Sequence, residues 1–366
     1  MKISIEREVL LKPLQQVIGA VEKRQTMQIL SNVLLRAELG ELRLVATDLE
    51  IELVAEIQHA VEVPGQVTVP ARKLLDICRA LPDGALIELR KDGERFVVSS
   101  GRSKFTLSTL PVEDFPSLDD MQSEQAFSVQ QRELLELIER TSFAMAQQDV
   151  RYYLNGLMVE MEPNVVRSVA TDGHRLSLCE IAAVTGAEES RQVIVPRKGV
   201  MELARLLEHS DELVSVEVGG THIRCSFSGL RYTSKLIDGR FPDYKRVVPS
   251  DDGSLLQVSR EGLRQALSRT AILSNEKYRG VRMELSPNLL KLQAHNPEQE
   301  EAEEELAVVY EGPHLEIGFN VNYLMDVVAH LEGEDLAIRL RDSGSSVLVR
   351  DGTLTHALYV VMPIRL

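Results

Sequence analysis

Three stretches of this chain follow one pattern at one spacing, and that repeat limits the possible folds more than any other feature. NVLLRAELGELRLVATDLE runs to Glu50, YLNGLMVEMEPNVVRSVATDGH to His174 and YRGVRMELSPNLLKLQAHNPE to Glu298. Ala46, Ala170 and Ala294 keep the register, each 124 residues from the next. An amphipathic helical pattern precedes each copy: Leu10, Leu14, Val17 and Val21, then Leu134, Leu135 and Ile138, then Leu263, Leu267 and Ala271. A strand and a second helix follow each, in VPARKLLDICRAL, VPRKGVMELARLL and FNVNYLMDVVAHL. Further on, TLSTLPVEDFP is answered by TSKLIDGRFP, with Phe115 and Phe241 126 residues apart. The 366 residues therefore read as three copies of one domain, 1–122, 123–250 and 251–366.

Within a copy, alternating stretches such as LRLVATDL, IELVAEI, ALIELR and KFTLSTL predict antiparallel strands in two sets, each set associated with one helix. Each domain is expected to hold two βαβββ units, an α+β fold in which sheets cover one side of a helix pair. Pro13 sits inside the first helical pattern, so that helix is expected to kink there or to restart with Pro in its first turn.

Composition narrows the function. No run of 18 apolar residues occurs and MKISIEREVLL carries charge near the start, so a membrane protein or a secreted one is not expected. Cys78, Cys179 and Cys225 are far apart and odd in number, which suggests neither a disulfide framework nor a zinc site. A cytoplasmic protein without metal or cofactor is expected. A formal net charge of −15 argues against a protein that coats nucleic acid with its whole surface, while leaving room for a local basic face.

ATDGHRL, residues 170–176, holds a hydroxyl, a carboxylate, an imidazole and a guanidinium in a short span and raises the question of an active site. The repeat argues otherwise. Thr47, Asp48, Leu49 and Glu50 occupy the same places in the first copy, and His295, Asn296, Pro297 and Glu298 in the third. Strand ends running into turns favour such residues for backbone reasons. No phosphate loop, nucleophile elbow or H-E-x-x-H accompanies the segment, so no catalytic residue and no metal ligand is assigned. An enzyme built on Asp172 and His174 stays open as a rival reading, as does a structural ring or adaptor indifferent to DNA.

VPARK, GRSKFTLSTLP, QQDVRYYLNG, VATDGHRL, VIVPRKG, TSKLIDGRFPDY, AILSNEKYRGVR, NPEQEEAEEE and the terminal YVVMPIRL carry a resemblance that spans Met1 to Leu366. The chain resembles the β sliding clamps, the processivity subunits of bacterial replicative DNA polymerases. The resemblance implies a head-to-tail homodimer ring with helices inside and antiparallel sheets outside, through which duplex DNA passes without being read. It also implies docking of the polymerase α subunit, the clamp loader, other polymerases and repair proteins through short Gln-Leu-x-Leu-Phe-like peptide motifs.

Site residues follow from that resemblance. Arg24, Arg72, Gln148, Tyr152 and Tyr153 are the implied DNA contacts, although period-two alternation would also allow one of the two tyrosines to be a core residue of the following strand. Lys12, Lys23, Arg24, Arg72, Lys73, Arg79, Arg132, Arg197, Lys198, Arg205, Arg264 and Arg269 fall on or beside the six predicted helices, a recurrence that suits a basic lining. For the dimer contact, the acid of Glu298, Glu300, Glu301, Glu303 and Glu304 faces the base of Lys73, Arg95, Arg102 and Lys104, with Phe105 and Leu107 on Ile272 and Leu273 at its centre. The implied peptide pocket has walls from Leu154, Thr171, Gly173, His174, Arg175, Leu176, Pro242, Arg246, Val247, Asn320 and Tyr323, closed by Val360, Val361, Met362, Pro363, Ile364, Arg365 and Leu366. Ile364 and Gly344 depart from the Met and the larger apolar residue common at those places in the family, so peptide preference is expected to differ.

Overall fold

The structure is a computed structural model and describes residues 1–21, 27–116, 118, 121–352 and 356–365. Among these, the βαβββ pattern occurs six times. The first copy gives β1 (Lys2–Glu6), α1 (Arg7–Val17), β2 (Asn32–Glu38), β3 (Glu41–Thr47) and β4 (Ile51–Gln58), then β5 (Gly65–Pro70), α2 (Ala71–Ala80), β6 (Leu86–Asp92), β7 (Arg95–Ser100) and β8 (Ser103–Ser108). The second gives β9 (Gln125–Gln130), α3 (Gln131–Glu139), β10 (Gly156–Glu162), β11 (Val165–Thr171) and β12 (Arg175–Ala182), then β13 (Arg191–Pro196), α4 (Arg197–Leu206), β14 (Leu213–Val218), β15 (His222–Phe227) and β16 (Leu230–Lys235). The third gives β17 (Ser254–Ser259), α5 (Arg260–Thr270), β18 (Gly280–Ser286), β19 (Leu289–His295), β20 (Glu301–Ala307) and a short β21 (Val309–Tyr310). It ends with β22 (Leu315–Asn320), α6 (Val321–Ala329), β23 (Asp335–Leu340), β24 (Val347–Asp351) and β25 (Ala357–Val361).

The pairing departs from the simple reading in one respect. Each unit's leading strand crosses over its helix and joins the sheet of the other unit in its copy: β5 pairs with β2, and β1 with β6. The same exchange recurs in β13 with β10, β9 with β14, β17 with β23 and β22 with β18. Hairpin signals are local and reveal consecutive pairing, whereas a crossover is set by helix packing and leaves no local mark.

Sheets then join across copies. β4 pairs with β16 to make an eight-stranded sheet, and β12 pairs with β25 within a nine-stranded one that includes β21. The remaining sheets have four strands, β1-β6-β7-β8 and β20-β19-β18-β22. The chain accordingly forms two compact units, residues 1–132 with 201–236 and residues 133–200 with 237–366, each holding one large and one small sheet. The middle repeat is shared between them.

Helices turn apolar faces to the sheets. Leu10, Leu14 and Val17 of α1 are buried, as are Ala71, Leu74, Leu75 and Cys78 of α2. Leu263, Ala266, Leu267 and Thr270 of α5, and Val321, Leu324, Val327 and Val328 of α6, do the same in the other unit. α1 runs through Pro13 without restarting, so Val9 gives up its helical acceptor role at that turn. Val21 and Ala271 fall just outside their helices, because α1 and α5 tighten into 3-10 turns at Ile18–Ala20 and Ala271–Leu273. β18 and β19 alternate strictly, burying Val281, Met283, Leu285, Leu290, Leu292 and Ala294.

Candidate functional site

ATDGHRL forms the tip of the hairpin between β11 and β12. Thr171 Oγ1 donates to the Arg175 carbonyl at 2.6 Å and accepts from the Gly173 N–H at 3.0 Å. Asp172 Oδ1 accepts from the N–H groups of His174 and Arg175 at 2.9 and 3.1 Å. Thr47 and Asp48 make the corresponding bonds to Ile51, Leu49 and Glu50 at 2.8 to 3.1 Å. Leu49 and Gly173 both take positive φ, 76° and 90°. The hydroxyl and the carboxylate therefore serve the turn.

The second copy differs at Arg175, which replaces the buried Ile51 of the first. Its Nε donates to Asp172 Oδ2 at 3.1 Å, Nη1 to Asp326 Oδ2, and Nη2 to the Phe143 carbonyl at 2.9 Å. The guanidinium carbon lies 4.7 Å from the Tyr323 ring centroid and 5.3 Å from that of Phe143, two cation–π contacts. His174 stacks on Tyr323 with centroids 6.1 Å apart. Burial, the largest influence on Tyr323, raises its phenol above the ordinary value. Arg175 is a post that fixes the hairpin to α6, while the exposed His174 presents its ring beside it. Asn320 caps α6, its Oδ1 accepting from the Asn322 N–H at 2.9 Å.

The C-terminal segment crosses between the two sheets of its unit. Met362 N–H donates to the His174 carbonyl at 2.9 Å, and Ile364 N–H to the Gly318 carbonyl of β22 at 2.8 Å. Val360 and Val361 are buried and Met362 is 41% exposed. Leu154, Leu176 and Val360 belong to one apolar cluster with Phe241 and Tyr244, and so form a floor rather than an open wall. Pro242, Arg246 and Val247 are exposed beside it. Arg246 and Val247 line a cleft of about 350 Å³ with Pro249, Arg341, Ser345 and Ser346, next to Gly344. Ile364 and Arg365 line a different cleft, of about 540 Å³, with Tyr278, Arg282 and His295. The structure thus brings Leu154, Thr171 to Leu176, Tyr323 and Val360 to Met362 together, and sets Ile364 and Arg365 to one side. Leu366 lies outside the described residues. Sequence reasoning missed Phe143, Asp326 and Tyr244; for Asp326 the spacing to Tyr323 on one face of α6 was a usable sign.

Among the implied DNA contacts, Arg24 lies outside the described residues, as does Lys23. Arg72 is exposed and donates to the Val21 carbonyl at 2.9 Å. Gln148 is exposed at positive φ. Tyr152 and Tyr153 sit in a 3-10 turn, Tyr152–Leu154, ahead of β10, so strand alternation does not apply to them. Tyr152 is 56% exposed, whereas Tyr153 packs on the apolar cluster, and their rings meet edge to face at 5.7 Å. Several helix cations are already paired: Arg132 with Asp211, Arg205 with Glu202, Arg264 with Glu261 and Arg269 with Glu304. Arg197 donates to the Met145 carbonyl at 3.2 Å, and burial lowers its pKa.

At the implied dimer contact, β8 and β20 are free edges of the four-stranded sheets. Lys73, Arg95, Arg102 and Lys104 are exposed. Ile272 is 75% exposed, Leu273 and Phe105 are half-buried, and Leu107 is buried in its own sheet. Glu303 is bound by Lys291 at 2.8 Å and Glu304 by Arg269 at 2.6 Å, while Glu300 accepts from Asn296. Glu298 and Glu301 are exposed.

Comparison with known proteins matches the DNA polymerase III beta subunit along the chain: its N-terminal domain over residues 1–119, its central domain over 128–243 and its C-terminal domain over 245–365. Beta sliding clamps of Pseudomonas putida and Escherichia coli strain K12 are 54% and 53% identical, each alignment covering 100% of both chains. A crystal structure of the Pseudomonas aeruginosa DNA polymerase sliding clamp with ligand superposes with a TM-score of 0.98 at 54% identity, covering 100% of each chain. That of the Caulobacter crescentus sliding clamp gives 0.94 at 42%, with the same coverage.

Proposed function

The chain belongs to the DNA polymerase III beta subunit family, and on that premise we propose that two copies close head to tail into a ring that slides on duplex DNA and tethers replication and repair proteins. Its work is to hold and to dock, with no reaction of its own; Thr171 and Asp172 are engaged in the turn. Repeat boundaries near 122 and 250 and a cytoplasmic place belong to the same reading. Among the described residues no helix is long and apolar enough to cross a membrane.

The observation that carries the ring is the pattern of edges. β16, the last strand of a second unit, pairs with β4, the last strand of the preceding copy's first unit, and β25 pairs with β12 in the same way. By that rule β8 of one protomer seeks β20 of another, which is a heterologous contact capable of closing. Ile272 and Leu273 supply apolar surface beside it, Phe105 lies on β8, and Lys73, Arg95, Arg102 and Lys104 face the acid of Glu298 and Glu301. Lys12, Arg72, Lys73 and Arg79 lie exposed on α1 and α2 and offer positive charge to phosphates without reading bases. Arg24, Gln148 and Tyr152 complete the proposed DNA contacts.

The proposed docking pocket is the surface around His174, Tyr323, Met362 and the Arg246–Val247 wall, which offers apolar area with a few orienting polar groups. The ring reading is tested with nicked circular DNA bearing loaded protein. The complex should survive gel filtration on the circle and be lost when the circle is cut; equal retention on both forms would overturn it.

A further inference from the structure

We propose that Tyr244, held through its hydroxyl by Glu160 and Arg167, positions the Arg246–Val247 wall of the docking pocket, so that peptide affinity depends on a hydrogen bond no peptide touches. This rests on the pocket reading above. The argument begins in the sheet. Gln192, Glu160, Arg167 and Glu180 stand directly opposite one another across β13, β10, β11 and β12, a polar rung. Two residues along, on the same face, Ile194, Met158, Val169 and Leu178 form an apolar rung. Tyr244 spans both. Its ring lies in the apolar cluster, and its hydroxyl donates to Glu160 Oε2 at 2.6 Å while accepting from Arg167 Nη1 at 3.2 Å.

Glu160 is 1% exposed, and Gln192 also donates to it, at 2.8 Å, so the phenol has a fixed acceptor rather than a solvent-exposed one. The wall hangs from the same residue: the N–H groups of Val247 and Val248 donate to the Tyr244 carbonyl at 2.9 and 3.2 Å. The side chain therefore fixes the point from which Arg246 and Val247 project.

The first repeat provides an internal contrast. Its matching rung is Gln66, Arg36, Arg43 and Glu56, and Leu118 stands three residues beyond Phe115, as Tyr244 does beyond Phe241. The Glu160 carboxylate and the Tyr244 phenol appear together in the middle repeat, where the segment leads into the wall, whereas Arg36 and Leu118 hold those two places in the first.

The experiment uses the full-length dimer and a fluorescein-labelled Gln-Leu-Asp-Leu-Phe peptide. Deleting Met362 to Leu366 should abolish binding, and Tyr244→Phe should weaken it about tenfold with dimer mass and retention on circular DNA unchanged. In a Val247→Ala background Tyr244→Phe should add little, because its effect passes through the wall. Glu160→Gln, which keeps an acceptor for the phenol, should fall between wild type and Tyr244→Phe. If the deletion leaves binding intact, the pocket reading fails and this proposal with it. If the deletion abolishes binding while Tyr244→Phe has no effect, or an effect fully additive with Val247→Ala, positioning alone is overturned. Amide exchange in the unsubstituted protein decides the matter even if the variants do not fold: the Arg246 to Val248 amides should be protected before peptide is added, and protection that appears only with peptide would overturn the proposal.

Discussion

Thr171 donates its hydroxyl hydrogen bond to the Arg175 carbonyl at 2.6 Å, and Thr47 does the same to Ile51 at 2.8 Å one repeat earlier. Equivalent chemistry in equivalent turns means that Asp172 and Asp48 should respond alike to truncation. Asp172→Ala leaves two backbone N–H groups and the Arg175 Nε without their acceptor, which should cost roughly 1 to 3 kcal/mol. Urea unfolding followed by circular dichroism should show a lowered midpoint for Asp172→Ala and for Asp48→Ala. An unchanged midpoint for Asp172→Ala would remove the turn role.

Acid should act through Glu160. Burial alone would raise its carboxyl, but hydrogen bonds from Tyr244, Gln192 and Arg167 and the charge of Lys245 outweigh burial and hold it at about 2, against an ordinary 4.5. The folded value lies below the unfolded one, so the unfolded chain binds the proton first. The stabilisation is complete above about 4.5 and is lost as pH falls toward about 2. Glu160→Gln cannot titrate there. The stability gap between wild type and Glu160→Gln, measured by denaturant unfolding, should narrow across that window and stay constant above it; a constant gap throughout would assign the acid response elsewhere.

Much of this was legible in the sequence because a repeat makes one local signal appear three times. The Ala46, Ala170 and Ala294 register fixed the βαβββ units, and the turn reading of Thr171 and Asp172 came from comparing them with Thr47 and Asp48. What stayed hidden was contact between distant residues. Arg175 meets Asp326 across 151 positions, and Tyr244 meets Glu160 across 84. The exchanged pairing of β1 with β6 depends on crossovers, and the sequence sets Glu304 with the acid of the dimer contact although Arg269 of the same chain occupies it. Period-two alternation allows one of Tyr152 and Tyr153 a core place in the following strand, yet the chain turns there before Gly156 opens β10.

DNA binding should be salt-sensitive and blind to sequence. Arg72 lies exposed on α2 and donates to the Val21 carbonyl at 2.9 Å. Removing one phosphate contact should reduce the log-log salt slope by about 0.9 for duplex DNA. Arg72→Ala should therefore flatten the slope measured by anisotropy between low and moderate salt, equally on two unrelated duplexes. A loss confined to one duplex would contradict sliding.

The dimer contact should depend on its apolar centre more than on its acid. Ile272 projects with 75% of its surface exposed, and Leu273 follows it in the same 3-10 turn. Burying a large aliphatic side chain contributes about 1.5 to 3 kcal/mol, whereas an exposed ion pair contributes about 0 to 1. A head-to-tail pair of protomers makes the contact twice, so each truncation acts at two places. Glu304 is a weak candidate for any partner because Arg269 holds both of its oxygens, at 2.6 and 2.8 Å. Sedimentation velocity at falling concentration should show Ile272→Ala with Leu273→Ala dissociating at concentrations where wild type and Glu304→Gln remain dimeric. Raising salt should weaken wild type only modestly, since Glu298 and Glu301 are exposed and the ion pairs proposed for them would lie at a solvated rim. A double variant that sediments as wild type while Glu304→Gln falls apart would place the contact elsewhere on β20.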